Sequence, residues 1–217
     1  MLMFDYDGTL SDSIGQLHAF YDHLCEAHGK DKPFADAVSF KAWFAEPFTE
    51  VYERLGFDWK RDAHMLQDEF RSFREREPPV LGDGVLELIE ELTKRGIPLS
   101  IASNGFEDQI REELGSYGIL ARFSSVRGIK SITDPIKPEP YLLLDAAAQA
   151  GFTVSETIYI GDTVSDIIAA QAAGMRAVAI TTGLHTRSQL EAHEPEHVFD
   201  HPSEILGLVE KEFWERT

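Results

Sequence analysis

Short apolar runs recur along the chain, each stopping at Gly, Ser, Asn, Asp or Thr or shortly before one: Leu2–Phe4, Leu99–Ala102, Ser125–Val126, Ile158–Ile160 and Ala177–Ile180. Continuous apolar runs, rather than alternating ones, are what strands need when both faces of their sheet are covered, so these positions predict buried parallel strands. Between them lie segments of helical period, Val85–Lys94, Glu107–Tyr117, Tyr141–Ala150, Ser165–Ala173 and Glu204–Phe213. Parallel neighbours cannot be joined by a tight turn, and these helices supply the crossovers. The pattern predicts an α/β fold, a doubly wound parallel-sheet core of Rossmann-like architecture.

Residues 13–77 break the alternation. Ile14–His28, Ala35–Phe44, Phe48–Leu55 and Arg61–Glu75 read as helices, separated by turns at Gly29–Pro33, Pro47 and Gly56–Asp58. This stretch holds 12 of the 23 aromatic residues, enough for a small helical core of its own. The expected division is therefore an α/β unit from residues 1–12 and 80–217 and an all-helical unit from 13–79. The connectors fall near Leu10–Ser13 and Pro78–Asp83.

Charge then narrows the partners. With 20 Lys and Arg against 38 Asp and Glu, the chain carries a net charge of −18, which disfavours nucleic acid and anionic membrane surfaces. The apolar runs stop far short of the ~20 residues that cross a bilayer. The one cysteine, Cys25, cannot close an intrachain disulfide. These features predict a soluble, cytoplasmic protein.

The candidate chemistry sits where strands end, the edge at which open parallel sheets bind ligands. Asp5-Tyr6-Asp7-Gly8-Thr9-Leu10 follows the first strand directly. Side chains two apart on an extended segment point the same way, so Asp5 and Asp7 can reach one site while Tyr6 faces elsewhere. Two carboxylates in one pocket call for a cation or a shared proton. Ile158–Ile160 leads into Gly161-Asp162-Thr163-Val164-Ser165-Asp166. Asp162 lands at the same edge as Asp5, and Asp166, four residues on, can hold a metal-bound water or a lysine. Such oxygen donors suit Mg²⁺. Ser103-Asn104-Gly105 follows the strand Leu99–Ala102 and precedes a helix, so its hydroxyl and backbone N–H groups can grip a phosphate oxygen. Lys137-Pro138-Glu139-Pro140 precedes another helix, which Pro138 could open. Four carboxylates against one divalent cation and Lys137 leave the site negative before a dianionic phosphate arrives. Binding then needs Asp7 protonated, help from helix N-termini, or both, and a protonated Asp7 is a general acid.

In this order the four motifs, Asp5-x-Asp7-Gly8-Thr9, Ser103, Lys137-Pro138 and Gly161-Asp162-x-x-x-Asp166, resemble the haloacid dehalogenase superfamily. The likeness is to its phosphoglycolate phosphatase and β-phosphoglucomutase branch, in which a helical cap is inserted after the first motif. The resemblance implies a Mg²⁺-dependent phosphatase of small phosphorylated metabolites. Asp5 would be the nucleophile that forms an aspartyl phosphate, and Asp7 the acid and then the base. Asp5, Asp162 and the backbone carbonyl of Asp7 would bind the metal, with Asp166 behind them. Ser103, Asn104 and Lys137 would hold the phosphoryl group. Asp7 favours phosphoryl transfer over carbon–halogen cleavage, because the dehalogenases lack that second acid. Alternatives are a sugar phosphomutase using the same intermediate, a phosphonate-cleaving enzyme with an imine-forming lysine in the cap, and a catalytically idle phosphate-binding protein.

Within the helical unit, Lys41, Arg54, Arg71 and Arg74 read as a solvated face, or as contacts to an anionic substrate. Trp43, Phe44 and Phe48 read as core packing, or as an apolar wall. His18, His23 and His28 share no helix face. His185, His193, His197 and His201 lie in polar segments and are expected at the surface, and Cys25 is expected in a core. Gly82-Asp83-Gly84 is expected to be a turn from the helical unit back to the sheet.

Overall fold

The structure is a computed structural model that describes residues 1–44, 46–131 and 133–213. Strand β1 (Leu2–Phe4) is followed by a two-residue strand β2 (Ser11–Asp12), helices α1 (Ile14–Ala27), α2 (Ala37–Trp43), α3 (Phe48–Arg54) and α4 (Trp59–Arg76), and strand β3 (Val80–Leu81). The chain continues through α5 (Val85–Lys94), β4 (Leu99–Phe106), α6 (Glu107–Ser116), β5 (Phe123–Ile129) and α7 (Tyr141–Ala150). It ends with β6 (Ile158–Gly161), α8 (Val164–Ala173), β7 (Arg176–Ile180), α9 (Arg187–Glu191), β8 (His197–Phe199) and α10 (Glu204–Phe213).

Six strands form one parallel sheet in the order β5-β4-β1-β6-β7-β8. The chain leaves β1 towards β4 and β5 and returns to its other side at β6, so the order reverses at β1. That reversal opens a crevice beyond the carboxyl ends of β1, β4 and β6. Phe4 is in register with Ile101 on one side and Ile160 on the other, which brings the segments after all three strands to one place.

The pleat sorts the core into two layers. Leu2, Phe4, Ile101 and Ile160 pack with residues of α5 and α10 on one face. Met3, Tyr159 and Ala102 pack with residues of α7 and α8 on the other. A third cluster, built around Phe20, Tyr21, Phe40, Tyr52 and Phe73, belongs to α1–α4 and includes Cys25. The two connectors to that helical unit pair with each other, Ser11 opposite Leu81 and Asp12 opposite Val80, as a short antiparallel ribbon.

Three local expectations need correction. Strand β4 does not stop at Ala102: it runs to Phe106 through an irregularity in its pairing with β5, so Ser103-Asn104-Gly105 is strand rather than helix N-terminus. Helix α7 begins after Pro140, its N-cap, and Pro138 lies outside it. Strand β8 and helix α9 escape the sequence pattern because each is too short to show a period. Among the described residues, no helix is long and apolar enough to cross a membrane.

Candidate active site

The first loop is wound tightly onto its own backbone. The Asp5 N–H donates to Ile160 O at 2.8 Å, extending the ladder by one residue, and the Tyr6 carbonyl accepts from Leu10 and Ser11 N–H at 2.9 and 2.8 Å. The turn places Gly8 at φ +78°, where a Cβ would lie 2.5 Å from Asp162 Oδ2. Across the crevice a Cβ on Gly183 would overlap the same carboxyl group. These two close approaches are why Asp162 can sit fully buried beside β1, its Oδ1 accepting from Thr9 Oγ1 (3.1 Å) and its Oδ2 from Leu184 N–H (2.8 Å).

Lys137 joins the motifs. Its Nζ lies 2.7 Å from Asp5 Oδ1, 2.6 Å from Asp166 Oδ1 and 3.0 Å from the Tyr159 hydroxyl. The contact to Asp166 is an aligned hydrogen bond and the one to Asp5 is a close ion pair, so one ammonium bridges the two carboxylates. The main chain of Lys137 is clamped by Asn104, whose Oδ1 accepts from Lys137 N–H at 2.8 Å. Asp166 is held from the other side by Thr163, the N-cap of α8, whose N–H and hydroxyl reach Asp166 Oδ2 at 3.0 and 2.7 Å. Ser103 is buried, and its Oγ accepts from Gly105 N–H at 3.2 Å.

The buried carboxylates differ in their surroundings. Burial pushes Asp5 up to about 7, a shift opposed by Lys137 and reinforced by the charge of Asp166. Asp162 is driven well above the ordinary range by burial and then by Asp166 and Asp5. Burial acts on Asp166 in the same direction, but the charge of Lys137 and hydrogen bonds from Lys137, Thr163 and Tyr159 outweigh it and hold the group low. One carboxylate oxygen from each of Asp5, Asp162 and Asp166 lies within 4.8 Å of the others. An all-oxygen set of three buried carboxylates, with one lysine to balance them, fits a hard divalent cation.

Asp7 takes another environment. Its Oδ1 accepts from Ser11 Oγ at 3.3 Å and lies 3.0 Å from an Arg74 guanidinium nitrogen. Arg74 belongs to α4, yet it is only 2 % exposed and makes a two-pronged contact to Glu113 of α6 at 2.7 and 2.9 Å. The expected solvated face is therefore wrong for this residue. Its position along Leu66, Phe70 and Phe73, an apolar helical stripe, was the available signal. Arg71 pairs with Asp108, Lys41 donates to the Gly183 carbonyl, and Arg54 reaches Trp43 O and Glu50. His185 is not a free surface residue either: its Nδ1 accepts from Val164 N–H at 2.8 Å.

Asp5, Asp7, Ser103, Asn104 and Lys137 line one cavity of about 140 Å³. Its roof comes from the helical unit and is aromatic: Tyr21, Phe44, Phe48, Tyr52, Trp59 and Phe70, while Trp43 stays outside. Asp162 and Asp166 are not among its lining residues but stand next to Asp5 and Lys137, which are. Tyr159, Thr9 and Thr163 join the site without having been assigned a role in it, and Arg74 joins it through Asp7 and not as a solvated charge; Tyr159 alternates with two strand residues and reads as core.

Residues 2–180 match the sequence profile of the haloacid dehalogenase-like hydrolases. The chain belongs to that family. It is similar to the probable phosphatase IndB of Dickeya dadantii, 30% identical over 96% of this chain and 93% of that protein. It is 28% identical to the phosphoglycolate phosphatase of Synechococcus elongatus over 96% of both chains. Among solved structures, a haloacid dehalogenase-like family hydrolase from Streptococcus pneumoniae superposes with a TM-score of 0.81 at 23% identity, covering 95% of this chain and 96% of that one. The chain is thus an enzyme, a phosphatase of the haloacid dehalogenase kind, with a Rossmann-like core as expected.

Proposed function

We propose that this phosphatase is Mg²⁺-dependent and hydrolyses small phosphomonoesters through a covalent phosphate on Asp5. The observation that carries the reading is the meeting of Asp5, Asp162 and Asp166 with Lys137, from three separate stretches of chain, at the floor of a cavity. Asp5, Asp162 and the Asp7 carbonyl would hold the ion, which when bound supplies charge neutralisation for the incoming phosphate.

The remaining work falls to this chain's own groups. Ser103, Asn104 and Lys137 bind and orient the phosphoryl oxygens. A carboxylate oxygen of Asp5 attacks phosphorus, the bond from phosphorus to the ester oxygen breaks, and Asp7 gives that oxygen its proton. Water then attacks the phosphoaspartate and loses a proton to Asp7. The bond between Asp5 and phosphorus breaks, releasing inorganic phosphate and restoring both acids. Residues 13–79 act as a cap: three of their contacts to the core, Lys41 to Gly183 O, Glu46 to Ser165 N–H and Arg71 to Asp108, are polar and can be exchanged for water when the cap lifts, whereas the buried Arg74–Glu113 pair and Phe70 against Phe106 hold it more firmly. The free, buried Cys25 suits a reducing, cytoplasmic setting.

Phosphate release measured with Mg²⁺ and after metal removal tests the reading, together with Asp5→Asn. Either change is expected to lower turnover by at least about 10³-fold, with the fold of the variant intact by circular dichroism. An Asp5→Asn enzyme that retains substantial activity excludes Asp5 as nucleophile. Formation of an isomer in place of free phosphate would assign a mutase.

A further inference from the structure

The cavity says more about the leaving group than about the phosphate. Its phosphoryl end is polar and its opposite end is walled by rings. Tyr52 and Trp59 stack at 5.4 Å with planes 19° apart, Phe48 meets Trp59 edge-on at 5.7 Å, and Phe70 and Phe106 continue the wall at 6.3 Å. Phe44, Phe48, Trp59 and Phe70 are only partly buried, so they are not fully consumed by the cap's own core.

Charge points the same way. Among the described residues that line the cavity, Lys137 is the one cationic side chain, and Asp5 and Asp166 already neutralise it. The basic residues nearest in the cap are already engaged: Arg74 with Glu113 and with the cavity-lining Asp7, Arg71 with Asp108, Lys41 with the Gly183 carbonyl. The polar groups the roof contributes are the Gln67 amide, the Glu46 carboxyl and the tyrosine hydroxyls. A carboxylate or a second phosphate on the substrate would enter this space beside Glu46 with no free counter-charge, a costly burial. An uncharged ring would instead meet apolar and aromatic faces.

We propose, resting on the phosphatase reading, that the substrate is a phosphomonoester of an uncharged alcohol bearing an aromatic or similarly flat apolar group, and that phosphocarboxylic acids and bisphosphates are rejected.

The test compares benzyl phosphate, phosphoglycolate and glycerol 3-phosphate, which all lose an alkyl-type alkoxide, so intrinsic leaving-group reactivity does not decide the ranking. With Mg²⁺, kcat/KM for benzyl phosphate should exceed that of either other ester by at least about tenfold. Gln67→Lys, which puts a cation in the wall, should narrow the ratio of benzyl phosphate to phosphoglycolate by about tenfold. A wild-type preference for phosphoglycolate overturns the proposal, and so does a ratio that Gln67→Lys leaves unmoved. If no ester is hydrolysed the phosphatase reading fails, and calorimetric binding of benzylphosphonate against phosphonoacetate still decides the cavity's preference: tighter benzylphosphonate supports it, tighter phosphonoacetate overturns it.

Discussion

Arg74 shows what one buried charge does when its partners come from another unit. Its guanidinium, 2 % exposed, is fixed by Glu113 of helix α6 and lies beside Asp7, so a single side chain ties the helical unit to the acid proposed to protonate the leaving group. Burial works against the charged guanidinium, and Asp7 and Glu113 more than offset it. Arg74→Met therefore leaves Glu113 uncompensated and is expected to destabilise the protein by about 3–5 kcal/mol in urea unfolding. Adding Glu113→Gln should recover a large part of that loss, because the penalty belongs to the orphaned charge rather than to a missing attraction. Independent, additive losses would show that the pair is not coupled. Asp5, Ser103 and Asp162 were legible in the sequence as candidates because each follows an apolar run, Asp7 through its spacing from Asp5, and Lys137 only through the order of the motifs. Arg74 was legible only as a charge on an apolar stripe, since nothing in one helix names the acid on another.

At the scale of elements, helix α8 links stability to the site. Thr163 caps it and Asp166, at the third helical position, completes a capping box, while the other Asp166 oxygen receives Lys137. Local helix chemistry thus positions the lysine. Thr163→Ala is expected to cost about 1 kcal/mol in stability, and to lower kcat by about 10–100-fold through the loosened Asp166. Thr163→Ser, which keeps the hydroxyl, should restore both in parallel unfolding and turnover assays. A loss of stability with kcat unchanged would separate the cap from the site. Asn104 gives a complementary case on strand β4. Its side chain clamps the Lys137 main chain, so Asn104→Ala should reduce kcat in a similar range, with a small change in unfolding midpoint. The strands were readable because burial on both faces writes them as unbroken apolar runs. The extension of β4 was not, because Ser103-Asn104-Gly105 has the composition of a turn and only pairing of Phe106 with Ile129 keeps the strand going.

Across the whole molecule, three buried acids are brought together in a chain that already carries a net charge of −18. The cost falls as protons or a cation enter, and the two compete. Without metal, Asp5 titrates near 7 in the folded state against 3.8 as its reference, so folding takes up a proton between those values. That contribution to stability is complete below the lower value and is lost as pH rises through about 7. A divalent ion needs the carboxylate, so it binds weakly at low pH and best above about 7. Melting temperatures of metal-free protein with and without added Mg²⁺ should therefore diverge as pH rises. At pH 8 and Mg²⁺ near 100 times its dissociation constant the gain is about 2.7 kcal/mol, or roughly 5–10 °C for a chain of this size. For each unit below about 7, displacing the Asp5 proton alone costs about 1.4 kcal/mol, and Asp162, also held above the ordinary carboxylate range, acts in the same direction, so the gain should be largely gone by pH 5. The difference between the two curves matters, because depressed surface carboxylates such as Asp108, held low chiefly by Arg71, shift both curves together. A Mg²⁺ increment that stays constant from pH 5 to 8 would mean that Asp5 is already ionised in the metal-free protein, and that the buried acids are balanced by Lys137 alone.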